Sequence, residues 1–245
     1  MFERVFNVPY YGLDTNGRVK TGLLLQFLQE AAALHADTVG IGVASMIERG
    51  LTWVLRRYRV RILRHAGQEG LSVRTWFEPK RNLVSVRLFE ISDLGGNPVA
   101  RAWSGWIVVD LKRVRPVRLD RALPENYFAC SEPTGEELGD PVETVGEACD
   151  AESRFRVRRQ ELDLNGHANH TAYFDWASES VPDEDVKGLS PIELDAEYIA
   201  PVMREDVTVR TRRLRESPPR YAHSVVIDCS GAEAARLAVT WGDEI

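Results

Sequence analysis

The sequence predicts an α+β fold built twice over. Three observations predict it: short blocks recur in the same order in both halves, a helix-like segment follows the first block of each half, and alternating strand-like runs follow that. Leu13-Asp14-Thr15-Asn16-Gly17 returns as Leu162-Asp163-Leu164-Asn165-Gly166, 149 positions on. SVRT at 72–75 returns as TVRT at 208–211, and ARAWSGW at 100–106 as ARLAVTW at 235–241. Asp93 and Gly96 pair with Asp228 and Gly231 at the same offset of 135 as the last block. Each match alone is weak; four in the same order describe a duplication.

The elements follow in order. Leu24, Phe27, Leu28, Ala31 and Leu34 recur at helical spacing and make one apolar stripe, with Thr21 as expected N-cap and Gly40 as expected stop. The second helix, from His170, is shorter. After the first helix come LTWVLRRYRVRIL, LSVRTWFEP, LVSVRLFEISD and ARAWSGWIVVDL, several alternating polar and apolar residues as half-buried antiparallel strands do. LGGN at 94–97 supplies a hairpin turn. The second half repeats the set with ELDAEYIAPV, DVTVRTRRLRE, YAHSVVIDCS and ARLAVTWGDE. One helix packed on one face of an antiparallel sheet is an α+β layer arrangement. The expected domains are 1–118 and 151–245, with 119–150, proline-bearing and rich in acids, as a linker across the surface.

Composition narrows the function classes. Of 245 residues, 44% are apolar and 28% charged, which is ordinary for a globular protein. A net charge of −6 argues against a general nucleic-acid binder, which needs a basic footprint. Arginine is nonetheless clustered: Arg56, Arg57, Arg59, Arg61 and Arg64; Arg154, Arg156, Arg158 and Arg159; Arg210, Arg212, Arg213 and Arg215. Such runs are either solvated strand faces or a docking patch for an acidic partner. Cys130, Cys149 and Cys229 form no CxxC pair, so neither a disulfide framework nor a zinc site is expected. The first residues do not read as a signal peptide and no stretch of ~18 apolar residues occurs, so a cytoplasmic protein without a membrane span is expected. No metal-ligand spacing or phosphate-binding glycine loop appears, and no cofactor is expected.

The stretch GLTWVLRRYRVRIL, then LSVRTW, then ARAWSGWIVVDLKRVRPVRL, closely resembles the acyl-ACP thioesterase family of bacteria and plants. In the second half, LDLNGHANHTAYFDW is similar to that family's catalytic stretch, Asp-x-Asn-x-His-x-Asn. The resemblance covers nearly the whole chain. It implies a tandem double hotdog, each half a long helix packed on an antiparallel sheet, and hydrolysis of fatty acyl-ACP to free fatty acid and holo-ACP. The partner it implies is acyl carrier protein, and it gives the acyl-chain pocket to the first half and the catalytic residues to the second. One departure stands out. Plant members carry a further Glu or Cys after a Glu-Tyr pair; here Glu197-Tyr198 is followed by Pro201 and Val202 at the later positions. No thiol or acid stands there to serve as a fourth catalytic side chain, and Glu193, Asp195 and Glu197 are the nearby carboxylates.

The residues themselves fit the chemistry. Asp163, Asn165 and His167 alternate directly before a helix, and in an extended segment alternate side chains share one face. The helix start offers backbone donors and a positive dipole end to an oxyanion. His167, of a residue type that titrates near neutrality, is the expected general base; Asp163 orients it or activates water, and Asn165 holds water or thioester. Asn169 and Glu197 are the expected substrate contacts, with an N-cap role for Asn169 equally open. The first copy, with Arg18 and Lys20 where the second has His167 and Asn169, reads as a turn alone. His35 reads as structural, Ser104 and Ser190 lack a nucleophile-elbow context, and Trp53, Trp76, Trp103 and Trp106 read as core or as tunnel lining. The alternatives are an acyl-CoA thioesterase on the same fold and a non-catalytic acyl-binding protein. A hydratase is disfavoured by the lack of an Asp-x-Asn-Pro-x-His segment. Chain length, acyl modification and oligomeric state stay open, a homodimer included.

Overall fold

The alternating runs become one antiparallel sheet arrangement, made twice. A computed structural model of the chain describes residues 1–78, 82–129 and 140–243, and the chain divides into units Met1–Gly139 and Asp140–Ile245. The first unit runs β1 (Phe2–Asn7), a 3-10 turn (Tyr10–Gly12), α1 (Thr21–Thr38), α2 (Val43–Glu48), β2 (Leu51–Ile62), β3 (Gly70–Glu78), β4 (Val84–Asp93), β5 (Pro98–Asp110), β6 (Arg115–Val117), α3 (Leu119–Ala122) and α4 (Glu125–Ala129). The second runs β7 (Ala151–Arg156), a 3-10 turn (Arg159–Glu161), α5 (His170–Glu179), α6 (Asp183–Val186), β8 (Ser190–Tyr198), β9 (Asp206–Glu216), β10 (Pro219–Ile227) and β11 (Glu233–Gly242).

Strand order is β1-β3-β4-β5-β2 in the first unit, with β6 on β5, and β7-β9-β10-β11-β8 in the second. The orders correspond strand for strand, and every pair is antiparallel. The hairpin at 94–97 joins β4 to β5. Asp93 Oδ1 accepts from the backbone N–H of Gly95 and of Asn97, both at 2.9 Å, and Gly96 takes φ +84°, which favours glycine.

Helix α1 buries Leu24, Leu25, Phe27, Leu28, Ala31, Ala32 and His35, while Leu34 is only half-buried. Phe27 stacks on Phe6 of β1 at 4.7 Å. Each such apolar side chain stabilises the unit by roughly 1.5–3 kcal/mol, and Leu28→Ala would cost about 2–5 kcal/mol. Gly40 ends the helix as expected. With φ +73° it lets Ile41 N–H reach Ala36 O at 3.0 Å and Gly40 N–H reach Asp37 O at 3.1 Å, a Schellman closure. The start differs from expectation: Thr21 is the first helical residue and Lys20 the N-cap, without a side-chain cap bond. Thr21 is buried, so its hydroxyl belongs to the packed face and not to the cap.

The described parts of the expected linker, residues 119–129 and 140–150, are not a free connector. Leu119, Ala122, Leu123 and Tyr127 are buried with Ile41, Met46, Phe77 and Val108 in the first unit. Val142 and Val145 are buried in the second, where Val145 N–H donates to Ser224 Oγ at 2.8 Å. Their apolar side chains gain more by joining a core than by crossing a wet surface. Residues 130–139, with Cys130 and Pro133, Glu136 and Glu137, lie outside the described residues.

Candidate active-site loop

The segment expected to be extended is a tight turn. Leu162 and Ala168 form an isolated antiparallel bridge, and Asp163 N–H donates to His167 O at 2.7 Å between them. Gly166 sits at φ +75°, a conformation that side-chain-bearing residues rarely adopt. Asp163 Oδ1 accepts from the backbone N–H of Asn165 at 2.8 Å and of His167 at 3.1 Å. A carboxylate so used mimics a backbone turn and holds the loop shut. The period-two argument for bringing Asp163, Asn165 and His167 to one face therefore does not apply, because a turn reverses the chain within those residues.

The first unit contains the same loop. Leu13 bridges Val19, Asp14 N–H donates to Arg18 O at 2.7 Å, and Gly17 takes φ +75°. Asp14 Oδ1 accepts from Asn16 N–H at 2.8 Å and Arg18 N–H at 2.9 Å. Asp14 and Asp163 thus make the same bonds, and the two loops differ in what they display. Arg18 and Lys20 stand in the first; Lys20 Nζ donates to Tyr11 O at 3.0 Å. His167 and Asn169 stand in the second.

Around the second loop the predicted residues separate by task. The side chains of Asn165, exposed, and His167, half-buried, make no hydrogen bond among the described residues. Asn169 is the N-cap of α5: its Oδ1 accepts from Thr171 N–H and Thr171 Oγ1, both at 3.1 Å. Glu197 lies elsewhere. On β8 the residues alternate, with Tyr198 turned to the α5 side, where its ring meets His170 and Tyr173. Glu197 consequently faces the other side of the sheet, where Arg236 lies at 3.8 Å. Glu193 and Asp195 share that face, each 3.2 Å from Arg220. None of the three carboxylates that the sequence offered as a replacement fourth residue faces the loop.

Sequence reasoning missed the aromatic wall behind the loop. Tyr198 Oη donates to His170 O at 3.3 Å. Burial pulls the His170 pKa down to about 4, so the ring is neutral at pH 7. Tyr173 is pushed up to about 12, by burial first, against a hydrogen bond from Val202, with the negative charges of Asp163 and Glu205 adding. Ala168 N–H donates to Val202 O at 2.8 Å, which ties the Pro201-Val202 segment directly to the loop. The buried Val202 thus stands beside the loop with an apolar side chain. A tyrosine six positions after the motif histidine His167 is a detectable signal, but its direction depends on where β8 lies.

The described residues include no group of three or more His, Cys, Asp or Glu placed to hold a metal ion. A surface pocket of about 390 Å³ is lined by Arg154, Arg156, Glu205, Asp206, Asp228 and Cys229, none of them a predicted site residue. Its charges are paired, Arg154 with Asp228 at 2.5 Å and Arg156 with Asp206 at 4.0 Å.

Two tandem sheet-and-helix units with a histidine-bearing loop before the second helix are the architecture of a hotdog thioesterase, and comparison with known proteins agrees. Residues 1–127 match the acyl-ACP thioesterase N-terminal domain and residues 146–243 the C-terminal domain. The chain belongs to the acyl-ACP thioesterase family. It is 25% identical over 200 residues to an oleoyl-acyl carrier protein thioesterase of Coriandrum sativum, covering 75% of this chain and 54% of that protein. It is 26% identical over 225 residues to oleoyl-acyl carrier protein thioesterase 1 of Arabidopsis thaliana, covering 84% and 62%. The chain therefore spans somewhat more than half the length of these curated relatives. In fold, it superposes on an acyl-ACP thioesterase of Bacteroides thetaiotaomicron with a TM-score of 0.86 at 24% identity, covering 98% and 97% of the two chains. The 12:0-ACP thioesterase of Umbellularia californica gives 0.82 at 22%, covering 98% and 96%. The double hotdog fold is thus common to all three.

Proposed function

We propose that this chain hydrolyses fatty acyl thioesters carried on acyl carrier protein, releasing free fatty acid and the carrier thiol. One observation carries the reading beyond family membership: the same braced loop is built twice, and the copy before α5 presents an unoccupied imidazole where the other presents arginine. His167 takes a proton from water as its oxygen adds to the thioester carbonyl, and returns a proton to the departing thiolate. The positive end of α5 lies next to the loop and favours the oxyanion formed in that addition. Asn165 offers an amide to hold the water or the carbonyl. Asp163 acts through the loop, fixing the backbone of Asn165 and His167, and is a positioning residue. Asn169 fixes the helix start. Glu197, on the far face of β8, contributes no substrate contact in this scheme. The acyl-chain pocket is assigned to the first unit and the catalytic residues to the second.

The test is to incubate the protein with acyl-ACPs and acyl-CoAs of several lengths and measure thiol release. Turnover of acyl-ACP should exceed that of the matching acyl-CoA, and kcat/KM for the carrier substrate should fall as salt rises. A second reading, hydrolysis of acyl-CoA, is favoured by one observation. In the second and third arginine runs many guanidinium groups already face carboxylates, Arg210 with Glu152, Arg212 with Glu143 and Arg213 with Asp185. That leaves less charge for an acidic carrier. Equal rates on both carriers at every salt level would select that reading.

A further inference from the structure

Arg87 of β4 is 4% exposed, in the interior of the first unit between α1 and the sheet. Its surroundings fix one edge and one face of the guanidinium. Nη1 donates to Thr75 Oγ1 and to His35 Nδ1, each at 3.1 Å. Cζ lies 4.0 Å from the centre of the Phe77 ring, on which His35 also stacks at 4.6 Å. His35 is neutral: burial, then the charge of Arg87, pulls its pKa to about 3, so Nδ1 can accept. Burial draws Arg87 itself down to about 9, with Tyr127 and Tyr58 opposing the shift, and it remains a cation at pH 7.

The opposite edge of the group is unused. Nε and Nη2 donate to no acceptor, and no carboxylate lies within ion-pair distance of Arg87, among the described residues. Buried charges are ordinarily paired, because an unpaired one is costly to bury. The free Nε–Nη2 edge is moreover the parallel pair of N–H donors that a carboxylate accepts from bidentately.

We propose that the interior of the first unit binds a carboxylate borne on an apolar chain, through the Nε–Nη2 edge of Arg87. The second unit has no counterpart. Where Phe77 opposes the buried Arg87 across β3 and β4, Arg213 opposes Tyr221 across β9 and β10, and Arg213 pairs with Asp185 at 3.4 Å. Two sources supply such a ligand: the free fatty acid, or an acyl chain bearing a carboxylate at its far end. The choice between them rests on the thioesterase reading, whereas the binding itself does not.

Titration calorimetry of the full chain with decanoate and with decanol tests the binding. Decanoate should bind at least about tenfold more tightly than decanol, as a charge-assisted pair of hydrogen bonds allows. Arg87→Met should abolish that preference. Arg87→Lys, which keeps the charge without the fork, should retain part of it and serves should the Met variant fail to fold. Equal binding of acid and alcohol to the wild type, or a preference unchanged in both variants, overturns the proposal. If the fatty acid is the ligand, decanoate inhibits decanoyl-ACP hydrolysis in the wild type more than in Arg87→Lys. If the far-end carboxylate is, the decanedioic half-thioester of the carrier is hydrolysed faster than decanoyl-ACP. Absence of hydrolysis on any acyl-ACP would sink the proposed function and leave the calorimetric result standing.

Discussion

The two units share a scaffold and differ in what it presents. Asp14 and Asp163 brace their loops with the same two backbone bonds, and Gly17 and Gly166 turn them at the same φ. In both units an arginine and an aromatic residue oppose each other across the sheet, in exchanged positions. The exchange leaves Arg87 buried against Phe77, while Arg213 is exposed beside an acid. Backbone geometry and side-chain chemistry are therefore separable here: the first is kept by a few Asp and Gly positions, and the second varies at positions between them.

The largest effect should come from the displayed residue that differs. His167→Ala should lower kcat by at least about 10²-fold, as loss of a positioned base does, with an unchanged circular dichroism spectrum. Near-normal turnover would erase the distinction drawn between the loops. Substituting the braces sharpens it. Asp163→Ala should lower kcat by a similar factor through misplacement of His167, whereas Asp163→Asn, whose amide oxygen accepts the same bonds, should keep most activity. Asp14→Ala should leave kcat alone and reduce stability by about 1 kcal/mol, read from denaturant midpoints.

A third comparison is between interiors. His35 and His223 are each held near pKa 3, chiefly by burial. Their folded pKa values lie below the unfolded value of about 6.5, so the unfolded chain binds more protons in between. The stability each contributes is present above about pH 6.5 and is lost as pH falls toward 3. For His223, which is fully buried, the slope approaches about 1.4 kcal/mol per pH unit. Melting curves between pH 7 and 4 should flatten in His223→Gln; an unchanged slope would deny the burial effect. The smallest effect is expected at the thiols. Cys149 and Cys229 are free, and neither Cys149→Ser nor Cys229→Ser should alter kcat by more than about twofold, since neither belongs to the water-based scheme.

Local patterns in the sequence revealed the elements, and long-range pairing decided the rest. Alternation gave β9 its observed bounds, and Gly40 marked the end of α1, because both depend on neighbours in sequence. The duplicated Asp-x-Asn-Gly located both loops. The first copy reads as the turn it is, whereas in the second three alternating polar residues suggest an extended segment with a shared face, which the turn at Gly166 removes. Glu197 could not be placed by local reasoning: its direction depends on Tyr198 packing against α5 and on Arg236 lying opposite in β11. Arg87 looked like any polar member of an alternating strand. Its burial follows from β3 and α1, which are distant in sequence.

The stretch before β7 also decides where the second half begins. Val142 and Val145 are buried, and Val145 caps the hydroxyl of Ser224, which in turn donates to Glu233 at 2.7 Å. Ser224 alternates with His223, so this strap lies on the sheet face away from the His223–Thr211 contact. A fragment cut at Ala151 would strip that cover and leave apolar surface and a polar pair open to water. One begun at Asp140 would carry its own lining. The inherited module is thus longer than its first strand suggests, and any swap of second halves between relatives should move the strap together with the sheet it covers.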